Sequence, residues 1–224
     1  MDLFLTIASG LAWTIVYIEA IRLGFKHKTY AMPVAALALN IAWETIYGVH
    51  GLTETIGAQS IVNLVWAAAD VVIVYLFFRY GRKELPKFVT RPIFAVWGIV
   101  IFGTSYAVQA LFIAEFGWMD GARYSAFLQN LLMSGLFIAF LIARQGTRGQ
   151  SMVIAVAKWL GTLAPTILLG VLGNLPFILW IGLLCSVFDL IYIGMLWWAK
   201  KNPAAFAAER AEPAQIIHPS GRTG

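Results

Sequence analysis

Charge is what this sequence has least of. Of its 224 residues only 12% are Asp, Glu, Lys or Arg, while 60% are hydrophobic. An average soluble domain carries about 25% charged residues, so a water-soluble globule is excluded. Cysteine is nearly absent as well: the lone Cys185 rules out an internal disulfide and a thiolate metal cluster, and it reads as a small apolar helix residue. No two aspartates are adjacent, which removes an aspartate-rich motif for magnesium and diphosphate. Magnesium prefers several oxygen ligands in octahedral array, and scattered carboxyls supply that poorly, so no metal or other cofactor is expected. The stretch from Pro176 to Ala199 holds no lysine, so the Schiff-base residue of a retinal-binding seven-helix protein is missing.

What the sequence does have is apolar runs. Seven segments, at 3–23, 30–50, 61–79, 92–113, 123–143, 152–172 and 175–199, are long enough to cross a hydrocarbon core roughly 30 Å thick. The basic residues from Arg22 to Lys28, from Arg79 to Arg91, at Arg144 and Arg148, and from Lys200 onward fall on one side of this arrangement. Only Arg123 falls on the other side, and Lys158 lies inside the sixth segment. By the positive-inside rule the sequence predicts an all-α membrane protein, a seven-transmembrane-helix bundle with the N-terminus outside and the C-terminus cytoplasmic. The net charge of +5 is then an orientation signal, and no nucleic-acid partner is expected. Met1-Asp2 gives no basic n-region, so the first segment is expected to be retained. Residues 1–199 form the bundle, and 200–224 read as a cytoplasmic, disordered tail rich in Pro, Ala, Glu and Gly. The host membrane, plasma membrane or endoplasmic reticulum, stays open at this point, as does the oligomeric state.

Polar residues inside these segments carry the functional signal. Glu44 sits within Asn40-Ile-Ala-Trp-Glu-Thr-Ile-Tyr47, where a charge costs at least ~2.5–3.5 kcal/mol, so it is a functional-site candidate by default. Asn40, Glu44 and Tyr47 share one helix face, with Trp43 beside it. Asn63, Trp66 and Asp70 repeat the pattern in the third segment. Asp189 and Tyr192 do so in the seventh with Cys185 and Ser186, and Gln129 with Asn130 in the fifth. Groups that cannot face lipid cheaply imply a shared interior cavity. The helical rise puts Glu44 in the outer half, Asp70 near the middle and Asp189 slightly inside it. Lys158 and Glu19 lie toward the cytoplasmic side, so Lys158 has Glu19 and Asp189 as possible partners, whereas Glu44 has no cation at its depth. A lone desolvated carboxyl is expected to keep its proton and so to serve as an acid. Trp13, Trp43, Tyr47, Trp66, Tyr106 and Tyr192 would offer ring faces to a cation, while Trp97, Trp118, Trp197 and Trp198 read as interfacial belts.

Met32-Pro33, the Asn40-Ile-Ala-Trp-Glu44 run with Tyr47, Trp66 with Asp70, and Phe188-Asp189 together resemble the small integral-membrane terpene cyclases of meroterpenoid and indole-diterpene biosynthesis. The resemblance covers the whole bundle. It implies that Glu44 and Asp189 are the essential acids, with Glu44 as proton donor and Asp189 as its partner, cation stabiliser or terminating base. Asn40, Asn63, Asp70 and Gln129 would orient substrate or acid, and Trp43, Tyr47, Trp66 and Tyr192 would line the chamber. The implied reaction protonates a terminal epoxide or alkene of a prenylated substrate and cyclises the chain through a carbocation, without metal. The implied partners are that hydrophobic small molecule and the bilayer. A small proton-coupled transporter is the alternative, since intramembrane acids also form proton relays.

Overall fold

The computed structural model describes residues 1–54 and 57–205, and every regular element in them is helical. They are α1 (Asp2–His27), α2 (Val34–Glu54), α3 (Ala58–Tyr80) with a 3-10 turn Gly81–Glu84, α4 (Arg91–Arg144), α5 (Met152–Pro165) continued by a π-helix Thr166–Leu172, and α6 (Pro176–Lys201). Five of these, α2 being the exception, are long and apolar enough to cross a membrane. At 54 residues α4 would extend about 80 Å, far beyond one crossing. It is divided at Gly117, whose φ of 73° lies in the left-handed region that glycine enters without steric cost. The arms are 91–116 and 118–144, so the described residues form seven helices. The sequence reading expected loops at 114–122 and 51–60. Helix instead runs up to the single non-helical Gly117, α2 continues to Glu54, and α3 begins at Ala58. Residues 206–224, which include most of the expected tail with Arg210 and Arg222, lie outside the described residues, as do Thr55 and Ile56.

Helix starts follow local chemistry. The Thr90 hydroxyl accepts from the Ile93 N–H at 3.5 Å ahead of α4, whose early proline has no donor to lose, and Ser151 does the same for Ile154 at 3.2 Å ahead of α5. α1 packs on α3 and α5, α2 on α3 and α4, and α6 on α4 and α5, which closes a ring. Along α1 the exposed apolar residues Phe4, Ile15, Ile18 and Phe25 face away from the cavity, while Leu3, Ile7 and Leu11 border its open side.

The two ends of the ring differ. At the basic end Arg144 donates to Thr29 (2.9 Å), Thr29 donates to Glu84 (2.9 Å), and Arg148 both pairs with Glu84 (3.3 Å) and donates to the His27 carbonyl (2.8 Å). The basic loops therefore do converge. The main apolar core lies next to them, built on Tyr17, Leu23, Met32, Leu37, Ile73, Phe137, Ile154 and Leu196. The opposite half is where the bundle opens.

Candidate active site

The open half encloses a cavity of about 710 Å³, walled by α1, α2, α3, the second arm of α4, and α5 with its π-helix. Pro165 explains part of its shape. A proline has no N–H, so the Gly161 carbonyl one turn earlier loses its helical partner, and the Ser9 hydroxyl of α1 donates to it at 2.8 Å. A Cβ on Gly161 would stand 2.9 Å from the Trp13 ring, so glycine lets α1 lay this indole against α5 at the cavity wall. Trp43, Trp66 and Phe127 add further aromatic wall. The Trp43 N–H donates to the Ala122 carbonyl (3.0 Å) and that of Trp66 to Thr14 (3.2 Å), which fixes both indoles.

Glu44 enters this cavity as part of a level layer. Tyr17 lies ten residues before the end of α1 at His27, Glu44 ten after the start of α2 at Val34, and Asp70 ten before the end of α3 at Tyr80. All three therefore stand about 15 Å above the same end of the bundle. The Tyr17 hydroxyl donates to Glu44 Oε1 at 2.5 Å. The Asn40 amide donates to Glu44 Oε1 and to Asp70 Oδ2, each at 3.1 Å, and to the Tyr17 hydroxyl. Glu44 Oε2 and Asp70 Oδ1 have no hydrogen-bond partner. Among the described residues no cation bonds either carboxyl, and Arg123, which also lines the cavity, pairs with Asp120 at 3.1 Å.

Of the residues expected from sequence, Asn40, Trp43, Glu44, Trp66 and Gln129 line the cavity together. Asp70 is fully buried behind Asn40, the Tyr47 ring lies 5.1 Å from that of Trp43, and Asn63 accepts from Gln59 at 2.7 Å. Gln129 accepts from Gln109 at 3.0 Å. Asp189 is not among the lining residues. Both its oxygens accept from Lys158 (2.8 and 3.0 Å), whose ammonium also donates to Ser134 at 2.7 Å. Lys158 and Asp189 are each 1% exposed. Glu19 pairs with Arg22 at 2.6 Å instead. Tyr192 is also off the cavity, donating to Gln150 (2.9 Å) beside the Phe137 ring. Tyr106 faces outward, with its hydroxyl 3.0 Å from that of Thr45.

Tyr17 is the site residue that sequence reasoning missed. The available signal was its i+4 spacing from Trp13 on one face. It was hidden because the first two apolar segments were ended at 23 and begun at 30, whereas α1 runs on to His27 and α2 starts only at Val34. The offset separates Tyr17 and Glu44 in depth, although they are level.

A family model describing Pyr4-like transmembrane terpene cyclases matches residues 1–202. The chain belongs to that family. Among curated members it is similar to the Pyr4-family terpene cyclase mfmH of Annulohypoxylon moriforme, 31% identical over 163 residues, which is 70% of this chain and 65% of that protein. It is 28% identical over 211 residues to the terpene cyclase pyr4 of Aspergillus fumigatus, covering 88% of this chain and 86% of that one. It is 33% identical over 168 residues to the terpene cyclase macJ of Penicillium terrestre, covering 71% of this chain and 62% of the relative. The chain thus spans just under two thirds of two of these relatives. No solved structure matches it significantly. Family membership and the apolar helices make this a multi-pass membrane protein.

Proposed function

We propose that this protein is a membrane terpene cyclase in which Glu44 starts the reaction by protonating the terminal epoxide or alkene of a prenylated meroterpenoid or indole-terpenoid substrate. The observation that carries this reading is the Glu44 carboxyl itself: Oε1 is held by Tyr17 and Asn40, while Oε2 has no protein partner, at a cavity walled by three indoles. The proton sits on Oε2 and moves to the epoxide oxygen or the terminal alkene carbon. A C–O or π bond breaks at that end, the next double bond attacks the developing cation, and ring faces of Trp13, Trp43 and Trp66 stabilise the charge as it travels. Loss of a proton or capture by a nucleophile ends the sequence. The carboxylate left on Glu44 keeps the donors on Oε1, which are in place beforehand and need no reorganisation. Asp70 shares the Asn40 amide with Glu44, which ties the two carboxyls into one network.

Asp189, expected as the second acid, is assigned a positioning role, because its oxygens are engaged by Lys158 away from the cavity. Asn40 orients the acid, Trp43, Trp66 and Gln129 bound the substrate space, and Tyr47, Asn63 and Tyr192 support the walls from behind. The basic end faces the cytoplasm, with the N-terminus outside. The reaction is read as needing no metal, since carboxyls spread over separate helices suit octahedral magnesium poorly, and chelation tests this. Family membership also weighs against the proton-coupled carrier.

The test incubates membranes holding the protein with a farnesylated aromatic compound, with and without a terminal epoxide, in the presence of EDTA. Cyclised isomers of unchanged mass, absent with Glu44→Gln, are expected. A proton flux without any isomer would contradict the reading, and loss of all turnover on chelation would remove its metal-free element.

A further inference from the structure

The cavity has a second polar wall that the chemistry at Glu44 does not use. Thr162, on α5, is 2% exposed, lines the cavity, and its hydroxyl has no hydrogen-bond partner. Asn130, on the second arm of α4, also lines the cavity, and its buried Oδ1 is likewise unpartnered. Buried polar atoms normally find partners, and an orphan is costly unless a ligand or water completes it.

The two orphans belong together. α4 descends through this arm toward the basic end at Arg144, and α5 rises from the same end at Ser151, so the two helices run antiparallel. Ser134 and Lys158 join them by a 2.7 Å hydrogen bond. Asn130 is one turn before Ser134 and Thr162 is one turn after Lys158, which sets each one turn above that bond on the side of its helix that carries it. The Ser134 hydroxyl is itself committed to the Asn130 carbonyl at 2.8 Å, and Lys158 to Asp189, so neither group below can satisfy the pair above. Glu44 stands on α2, which packs on α3 and α4, whereas Thr162 stands on α5, which packs on α1 and α6. Thr162 and the acid thus occupy different walls, Asn130 stands on α4 beside α2, and Trp13, Trp43 and Phe127 line the same cavity.

We propose that Asn130 and Thr162 bind the oxygenated head group of the substrate, a ring hydroxyl of phenol or enol type, and so direct the prenyl chain across the cavity to Glu44. The proposal rests on the cyclase reading for the identity of the substrate. A hydroxyl fits both orphans: its hydrogen is donated to Asn130 Oδ1, and its oxygen accepts from the Thr162 hydroxyl. The Lys158–Asp189 pair then acts one turn below as a structural tie, with Lys158 joining Ser134 of α4 to Asp189 of α6 and neither touching substrate.

The experiment uses the purified full chain in lipid nanodiscs and follows tryptophan emission, to which the cavity-wall indoles contribute, during titration with a farnesylated phenol or its methyl ether. The wild-type protein is expected to bind the phenol about tenfold more tightly, and Thr162→Val or Asn130→Leu to bring the two affinities within about twofold. Thr162→Ser, which keeps the hydroxyl, retains the preference. Glu44→Gln retains it too while losing turnover. Equal affinities in the wild-type protein, or an undiminished preference in both Thr162→Val and Asn130→Leu, overturn the proposal. Turnover in the same samples separates it from its premise: the preference without any cyclised isomer supports the hydroxyl site and sinks the cyclase reading, whereas cyclisation without the preference does the reverse.

Discussion

Two buried carboxyl groups of this bundle sit in opposite circumstances. Asp189 has a cation at 2.8 Å, a hydroxyl beside that cation and no opening to the cavity. Glu44 lines the cavity, has a phenol, an amide and a neighbouring carboxyl around it, and keeps one buried oxygen without a partner. Burying an ion pair is costly, and once buried it is costly to break, so Asp189 is held in one geometry. A carboxyl met only by neutral donors can give up a proton and still be solvated by groups already in place. Being charged by type and deep in a membrane does not by itself make a residue chemical. The partner decides, and the proposal above therefore gives proton transfer to Glu44 and an architectural part to Asp189.

Four substitutions break or sharpen this contrast. Glu44→Gln keeps the shape and the Tyr17 contact but cannot donate the proton, and cyclised product is expected to fall about 10²–10⁴-fold in the membrane assay while thermal unfolding stays close to that of the wild type. On the other side, Lys158→Met leaves Asp189 buried without its cation and is expected to cost about 3–5 kcal/mol, read as a lower midpoint in denaturant or heat. Tyr17→Phe removes one of the donors on Glu44 Oε1, and an approximately tenfold drop in turnover with little change in stability is expected. Ser9→Ala strands the Gly161 carbonyl that Pro165 cannot serve, at about 1 kcal/mol of stability, with a small effect on turnover.

The contrast was half legible in the sequence. Scarcity of charge, seven apolar segments and one-sided basic loops fixed the bundle, because lipid leaves few other solutions. The Asn40–Glu44 run stood out for the same reason, since polar groups on one face of an apolar helix must look inward. What did not follow were relations across helices. Tyr17 reaches Glu44 only because α1 overruns its apolar segment by four residues and α2 begins four residues late. Lys158 had two acids within plausible reach, and the choice of Asp189 depends on Glu19 facing Arg22 at the surface end of α1. The turn at Gly117 is a single residue of left-handed backbone, where composition suggested a nine-residue loop.

The central claim is tested most directly by replacing both members of the buried pair. Lys158→Met with Asp189→Leu removes the two charges together and keeps apolar bulk between α4, α5 and α6, and buried pairs replaced in this way are often neutral in stability. Turnover per folded protein is then compared with that of Glu44→Gln, using the same farnesylated probe. The account predicts that the doubly substituted protein still cyclises the probe and that Glu44→Gln does not. A doubly substituted protein that is folded but inactive, beside a Glu44→Gln protein that still turns over, would contradict it and return the acid role to Asp189.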